Sequence, residues 1–276
     1  MTEKITIPSL AAMKQRGEKI VSLTAYDYPT ARLLDQAGVH VLLVGDSVSM
    51  VVAGRPNTLE ASVDEMVYHT RSARRGVARA LLVADLPYGS YHVSEDDAIR
   101  NALRLIREGG AEAVKLEGGR KQAPLVERLV QADIPVMGHI GLTPQAIHLL
   151  GGYRVQGKTP EAGEHLLDDA RALAAAGAFA IVLEGMPREV AAWITREVPL
   201  PTIGIGAGPE CDGQILVLHD MLGLSFGPAP KFVSRYADLG AQIRQAVEHY
   251  AADVAAGEFP ADAESYHLPA TRATAR

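Results

Sequence analysis

The sequence predicts an α/β fold of one specific kind, a single-domain (β/α)₈ TIM barrel, and three observations point to it. Short β-branched runs alternate with longer amphipathic segments, the runs are apolar on nearly every residue, and several of them end on an ionisable side chain. Near-continuous apolar runs suit strands covered on both faces, as parallel strands are, and a regular strand-then-helix order implies crossovers of one hand. Seven or eight such units close naturally into a barrel, and 276 residues is an ordinary length for one.

The strand candidates, in order, are Ile20–Ala25, Val39–Val44, Ala80–Ala84, Ala113–Leu116, Ile134–Gly138, Ala178–Leu183 and Thr202–Ile205, with Ile215–Leu218 a weaker eighth. Helix boundaries support the count. Ser94 stands as an N-cap before Glu95, Asp96 and Asp97, and Gly109-Gly110 ends that helix; Gly38, Gly76 and Gly177 end three others. Tyr26-Asp27-Tyr28-Pro29 reads either as an active-site loop or as the turn into a helix with Pro early in it. Gly151 to Lys158 is a long, glycine-punctuated insertion between the fifth and sixth strands, a binding lid or a surface excursion. The competing architecture is an open doubly wound sheet, but Gly204-Ile205-Gly206-Ala207-Gly208 is followed by Pro209, so it lacks the dinucleotide-binding signature.

No linker or internal repeat divides the chain, which gives a barrel domain over 1–256 and a tail over 257–276 that lacks periodicity, loose or a contact arm. Hydrophobic residues at 47% and charged residues at 22% match a folded globular chain and exclude wholesale disorder. A net charge of −6 gives no general attraction to nucleic acid or an anionic membrane. The longest apolar stretch, Ala172 to Leu183, is too short to span a bilayer and contains Gly177, so it reads as helix, turn and strand. Cys211 is the single cysteine, which excludes an intrachain disulfide, and Met1 to Leu10 lacks the apolar run of a signal peptide; the expected location is the cytoplasm.

Barrel chemistry sits at the C-terminal ends of the strands. There the chain places Asp46-Ser47 after strand two, Asp85 after strand three, Lys115 and Glu117 at strand four, His139 after strand five and Glu184 after strand six. Any one acid can be a charge for the first turn of the following helix. Taken together, Asp46, Asp85 and Glu117 are three hard oxygen donors on neighbouring strands, the donor type Mg²⁺ prefers. Lys115 and Glu117, two apart, face the same way, so Lys115 is either a structural counter-ion or the holder of a substrate carboxylate or oxo group. Glu184, between Ile181-Val182-Leu183 and Gly185-Met186-Pro187, is a general base in an apolar setting or a first-turn charge. His139 ranks below the acids: it is a substrate-binding candidate if the site needs a donor there, and otherwise a hydrogen-bonded rim or core histidine.

The blocks Thr24-Ala25-Tyr26-Asp27, Val44-Gly45-Asp46-Ser47, Ala84-Asp85-Leu86-Pro87, Val114 to Gly119, Gly138 to Gln145, Gly151 to Gly157 and Asp212 to Leu216 together resemble the 3-methyl-2-oxobutanoate hydroxymethyltransferase family, from about Ile20 to about Tyr250. The resemblance implies a barrel of the phosphoenolpyruvate/pyruvate type, Mg²⁺ as cofactor, 5,10-methylenetetrahydrofolate as co-substrate and a homo-oligomer, decameric in well-known members. It also implies that Asp46, Asp85 and Glu117 are the metal-site acids, that Asp46, Ser47, Asp85 and Lys115 contact the 2-oxo acid, and that Glu184 accepts its proton. Two departures flank the first metal loop: Ser49 stands where Gly is common, and Thr58-Leu59-Glu60-Ala61-Ser62 replaces Thr-Leu-Pro-Val-Thr. An isocitrate-lyase or phosphoenolpyruvate-mutase type of carbon–carbon lyase is the alternative. It fits less well, because Asp85-Leu86-Pro87-Tyr88 is not Asp-x-Asp-x-Gly and the Lys-Lys-Cys-Gly-His loop of the lyases is missing.

Overall fold

In the computed structural model, which describes residues 3–227 and 229–268, eight parallel strands close into a barrel in sequence order. They are β1 (Ile20–Thr24), β2 (Val41–Val44), β3 (Leu81–Asp85), β4 (Ala113–Lys115), β5 (Val136–Gly141), β6 (Ala180–Glu184), β7 (Thr202–Ile205) and β8 (Gly213–Leu216), and β8 pairs with β1 from Ile20↔Gly213 to Leu23↔Leu216. All eight expected strands are present. The largest difference is at β5, which starts two residues later than expected and runs on to Gly141, so His139 lies within the strand and not beyond it.

The helices are α1 (Ile7–Arg16), α2 (Tyr28–Gln36), α3 (Val48–Val51), α4 (Val63–Arg74), α5 (Glu95–Arg107), α6 (Ala123–Gln131), α7 (Ile147–Leu150), α8 (Pro160–Ala175), α9 (Arg188–Glu197), α10 (Leu218–Met221) and α11 (Leu239–Ala256). Their starts follow from local chemistry. Ser94 caps α5 by accepting from Asp97 N, which satisfies one orphan N–H, and Ser62 and Glu65 form a reciprocal capping box on α4, which satisfies two. Asp27 caps α2 in the same way, which makes Tyr26 to Pro29 a helix entry.

Strand periodicity divides the core in two. Val41, Leu43, Leu81, Val83, Ala113, Met137, Ala180, Val182, Ile203 and Ile215 fill the barrel interior, whereas the alternate residues Leu42, Val44, Leu82, Val114 and Ile181 pack under the helices. Along β3, β4, β5 and β6 the interior phase continues upward from Val83 to Asp85, from Ala113 to Lys115, from Met137 to His139 and from Val182 to Glu184. The polar residues therefore form the layer directly above an apolar floor.

The lower mouth is closed by α1, an element with no counterpart in the strand–helix reading of the sequence. Its Leu10 and Met13, with Ile5, join the interior cluster, while Lys4 bonds Ala80 O and Glu112 and Lys14 bonds Asp212, all just before strands. The helix layer is incomplete on the other flank. Val21 on β1 is 48% exposed, and a groove of about 590 Å³ lined by Lys19, Val21, Gly206, Gln214 and Phe232 runs there. It lies away from the rim that carries the acids. Helix α11, which follows β8 and α10, buries none of its residues and exposes Ile243, Val247, Tyr250 and Val254 at helical spacing. Of the expected tail, residues 257–268 are exposed apart from any barrel core, and 269–276 lie outside the described residues.

Candidate active site

The ends of five strands, β2 to β6, and the turns after them bring the candidate residues together above the apolar floor. Asp46, Asp85, Lys115, Glu117 and His139 are all buried, Glu184 is at the edge with its side chain 14% exposed, and Ser47 is half-buried. Barrel register places Asp85 beside Lys115, and their side chains meet with Oδ1 to Nζ at 3.1 Å. Asp46 lies just past β2, where its backbone N–H donates to Asp85 Oδ2 at 3.0 Å. Gly45 permits that approach, because a Cβ there would come within 2.8 Å of Ser47 Oγ and 3.5 Å of Asp85 Oδ2. Ser47 shares a 2.8 Å hydrogen bond with the buried Tyr26 hydroxyl, and Tyr26 O is in turn bonded by the His69 ring.

His139 stands at the centre. Its Nδ1 is 3.5 Å from Glu117 Oε1 and its Nε2 is 3.2 Å from Glu184 Oε2, ion-pair distances without hydrogen-bond alignment at Nε2. Lys115 Nζ also reaches Nδ1 at 3.3 Å, a hydrogen bond only if the ring is neutral. Two flanking carboxylates outweigh one ammonium that Asp85 already holds. Burial and Lys115 push the imidazole down, but Glu117 and Glu184 lift it to about 9, so the imidazolium is the ordinary state of the protein without metal.

The acids divide accordingly. Burial, then the charges of Asp85 and Glu117, raise Asp46 well above the usual carboxylate range. Burial also raises Asp85, against the opposing pull of Lys115 and the Asp46 N–H. Burial would raise Glu117 too, but His139, Lys115 and the N–H of Gln145 bring it below its usual value. Lys115 is raised despite its burial, since Asp85, Glu117 and Asp46 surround it. A lysine so held remains an ammonium throughout the physiological range.

Four carboxylates thus face two cations, an imbalance in a dry site that one divalent cation would correct. The donors fit: they are hard oxygens, and Asp85 Oδ1 is buried with no hydrogen bond of good geometry. As they stand, no group of three His, Cys, Asp or Glu side chains among the described residues closes round a cation. Mg²⁺ does not demand one, because it is usually bound by one or two carboxylates and keeps several waters.

Sequence reasoning gave no separate role to Gln145 and Tyr91. Gln145 Nε2 donates to Asp46 Oδ2 at 2.8 Å and to Leu86 O at 3.1 Å, its backbone N–H donates to Glu117 Oε2 at 2.9 Å, and its Oε1 accepts from the Tyr91 hydroxyl at 2.6 Å. The only signal was Gln145 at the end of the Gly138 to Gln145 block. The 151–158 insertion is tied to distant segments twice, by Gln156 N to Gly185 O at 2.8 Å and by the Tyr153 hydroxyl to Met50 Sδ at 3.6 Å. Of the two departures beside the first loop, Ser49 donates to Asn57 O at 2.9 Å and Ser62 caps α4, so both hold the loop's shape.

The family model described as Ketopantoate hydroxymethyltransferase matches residues 4–262. A 3-methyl-2-oxobutanoate hydroxymethyltransferase of Koribacter versatilis is 57% identical over 266 residues, covering 96% of this chain and 90% of that protein. One of Pelobacter propionicus is 54% identical, covering 97% of this chain and 99% of that protein. Among solved structures, a phosphonopyruvate hydrolase complexed with oxalate and Mg²⁺ is similar with a TM-score of 0.58 at 15% identity, covering 95% of this chain and 92% of that one. A 2,3-dimethylmalate lyase of the phosphoenolpyruvate mutase/isocitrate lyase superfamily has a TM-score of 0.58 at 17% identity, covering 94% and 91%. At such identity these two show the shared barrel and not a shared reaction.

Proposed function

The chain belongs to the ketopantoate hydroxymethyltransferase family and is an enzyme of hydroxymethyl transfer, and we propose that the six-residue rim cluster carries out that transfer on 3-methyl-2-oxobutanoate. The observation that carries the proposal is the buried set of Asp46, Asp85, Lys115, Glu117 and His139 with Glu184 at its open edge. In this reading 5,10-methylenetetrahydrofolate gives the one-carbon unit, and 2-dehydropantoate and tetrahydrofolate leave.

Asp46 and Asp85, with Glu117 beside them, would hold Mg²⁺. When bound it supplies Lewis-acid stabilisation of negative charge on the 2-oxo oxygen. Lys115 and Ser47 hold the carboxylate and oxo group of the acid, Lys115 as a fixed positive charge and Ser47 as a hydroxyl oriented by Tyr26. Glu184 takes the proton from C3, and the electron pair left behind delocalises into the 2-oxo group. His139, 3.2 Å from Glu184, orients the carboxylate that accepts this proton. Water adds to the folate's methylene carbon and breaks both methylene–nitrogen bonds, its two hydrogens leaving on the nitrogens of tetrahydrofolate and its oxygen staying on the carbon; C3 bonds to that carbon, and the alkoxide so formed takes back the proton held by Glu184. The apolar floor and the 151–158 loop limit access of bulk water.

Exposure of α11's apolar stripe and the uncovered β1 flank favour a homo-oligomer, for which the family's decamer is the proposed form. A lone buried thiol suits the reducing cytoplasm, and no helix among the described residues is long and apolar enough to cross a membrane.

The test is exchange of the C3 hydrogen of 3-methyl-2-oxobutanoate in D₂O with Mg²⁺ and no folate, followed by NMR. Wild-type protein should exchange it, and Glu184→Gln should abolish exchange while still binding the acid. Unchanged exchange in that variant would remove Glu184 from the role of base.

A further inference from the structure

Among the described residues, Gln145 is the only one that hydrogen-bonds two of the three candidate metal acids, and it does so through different groups. Its side-chain amide reaches Asp46 Oδ2 at 2.8 Å while its backbone N–H reaches Glu117 Oε2 at 2.9 Å. The residue sits in a 3₁₀ turn, Pro144–Ala146, directly after β5, and it is buried. Its amide can face only one way. Nε2 gives its two hydrogens to Asp46 Oδ2 and Leu86 O, both acceptors, and Oε1 takes the Tyr91 hydroxyl at 2.6 Å; a flipped amide would set oxygen against oxygen twice.

Tyr91 makes the orientation rigid. It is buried, and its hydroxyl, besides donating to Gln145, lies 3.3 Å from the backbone N–H of Glu117, which can donate to it. The pair therefore joins the loops after β2, β3, β4 and β5. Each acid is left with one oxygen for other work: Glu117 Oε1 faces His139, and Asp46 Oδ1 accepts no hydrogen bond among the described residues.

We propose that Gln145, locked by Tyr91, is a positioning residue that sets the distance and rotation of the Asp46 and Glu117 carboxylates for the divalent cation and the 2-oxo acid. This rests on the reading of Asp46 and Glu117 as metal-site acids. The chemistry is that of an outer hydrogen-bonding layer, in which a donor to a ligand carboxylate fixes its orientation and its loss weakens metal affinity roughly 10- to 100-fold.

The probe is Mn²⁺, its free ion counted by electron paramagnetic resonance on the intact protein, alongside thermal unfolding and the C3 exchange assay. Gln145→Met should unfold cooperatively yet bind Mn²⁺ roughly 10- to 100-fold more weakly, with its KM for the oxo acid raised more than kcat is lowered. Tyr91→Phe, which removes one oxygen atom, should weaken Mn²⁺ binding less. The double variant should be no worse than Gln145→Met alone, because the tyrosine acts through the glutamine. A folded Gln145→Met that binds Mn²⁺ like wild type overturns the proposal. If Gln145→Met does not fold, Tyr91→Phe with wild-type Mn²⁺ affinity overturns it. Failure of the underlying reading looks different: wild-type protein would show no specific Mn²⁺ site at all, or Asp46→Asn would bind Mn²⁺ as tightly as wild type.

Discussion

The imidazole of His139 lies 3.2 Å from Glu184 and 3.5 Å from Glu117, so one ring on β5 joins the acid at the open edge of the site to an acid inside it. Without metal, the two acids hold that ring as an imidazolium up to about pH 9. Because this lies above the ordinary value of 6.5, the ring's contribution to stability is fully present below pH 6.5 and is lost as the pH rises through about 9. Nitrogen-detected NMR of metal-free protein should show His139 titrating near pH 9, and Glu117→Gln should bring the midpoint down. A midpoint near 6.5 in the wild type would mean that the carboxylates do not grip the ring.

Lys115 and Asp85 form a buried pair at 3.1 Å, and breaking one side leaves a charge without its partner. Lys115→Met should cost about 3–5 kcal/mol in urea unfolding, the usual penalty for orphaning a buried ion. Adding Asp85→Asn should recover part of that loss although it removes a second wild-type group. A double variant less stable than the single would show that the lysine's role in folding does not run through Asp85.

The barrel was readable because its strands are apolar on both faces and its glycines end helices, as at Gly110 and Gly177. The rim was readable because a polar residue at the top of such a strand, Asp85 or Glu184, has few other places to go. His139 was placed beyond its strand because Gly138 looks like a terminator, whereas β5 runs on through Gly141 to pair with Glu184. Helix α1 escaped notice since its two buried residues, Leu10 and Met13, carry little periodicity. Gln145 and Tyr91 are neutral side chains in turns, and their importance comes from contacts 26 to 99 residues away in sequence. No local pattern encodes such contacts.

Arg55 and Glu65 hold the loop that departs most from the family pattern. Arg55 bonds both Glu65 oxygens and Glu60 O, and Glu65 Oε2 also accepts from Ser62 N at 2.8 Å. The Arg55 hydrogen bond, then that of Ser62, pulls Glu65 down to about 2. A depressed carboxylate contributes stability above its unfolded value of 4.5, and that contribution is lost as the pH falls toward 2. Glu65→Gln should therefore be about 1 kcal/mol less stable at pH 7, the size of a helix-capping term, and the gap should close between pH 4.5 and 2. A gap that stays constant over that range would assign the effect to packing and not to charge.

Gly141 couples the barrel's register to the base. It has φ +95°, it pairs with Glu184, and a Cβ on it would run into the Glu184 carbonyl oxygen and come within 2.8 Å of Met186 Cε. Gly141→Ala must therefore pay for a left-handed backbone, about 1–3 kcal/mol, and in addition displace the segment that carries Glu184. Gly257, at the end of α11, has φ +71° and open space round it, so Gly257→Ala suffers the backbone strain alone. Gly141→Ala should lose more stability than Gly257→Ala by thermal unfolding, the excess being the cost of the displaced segment. Only Gly141→Ala should lose C3 exchange, by roughly 10- to 100-fold, as expected when a reacting group moves by a fraction of an ångström to about one. Equal exchange in the two variants would show that the position of Glu184 does not depend on the end of β5, and with it the orienting role of His139 on that strand would fall.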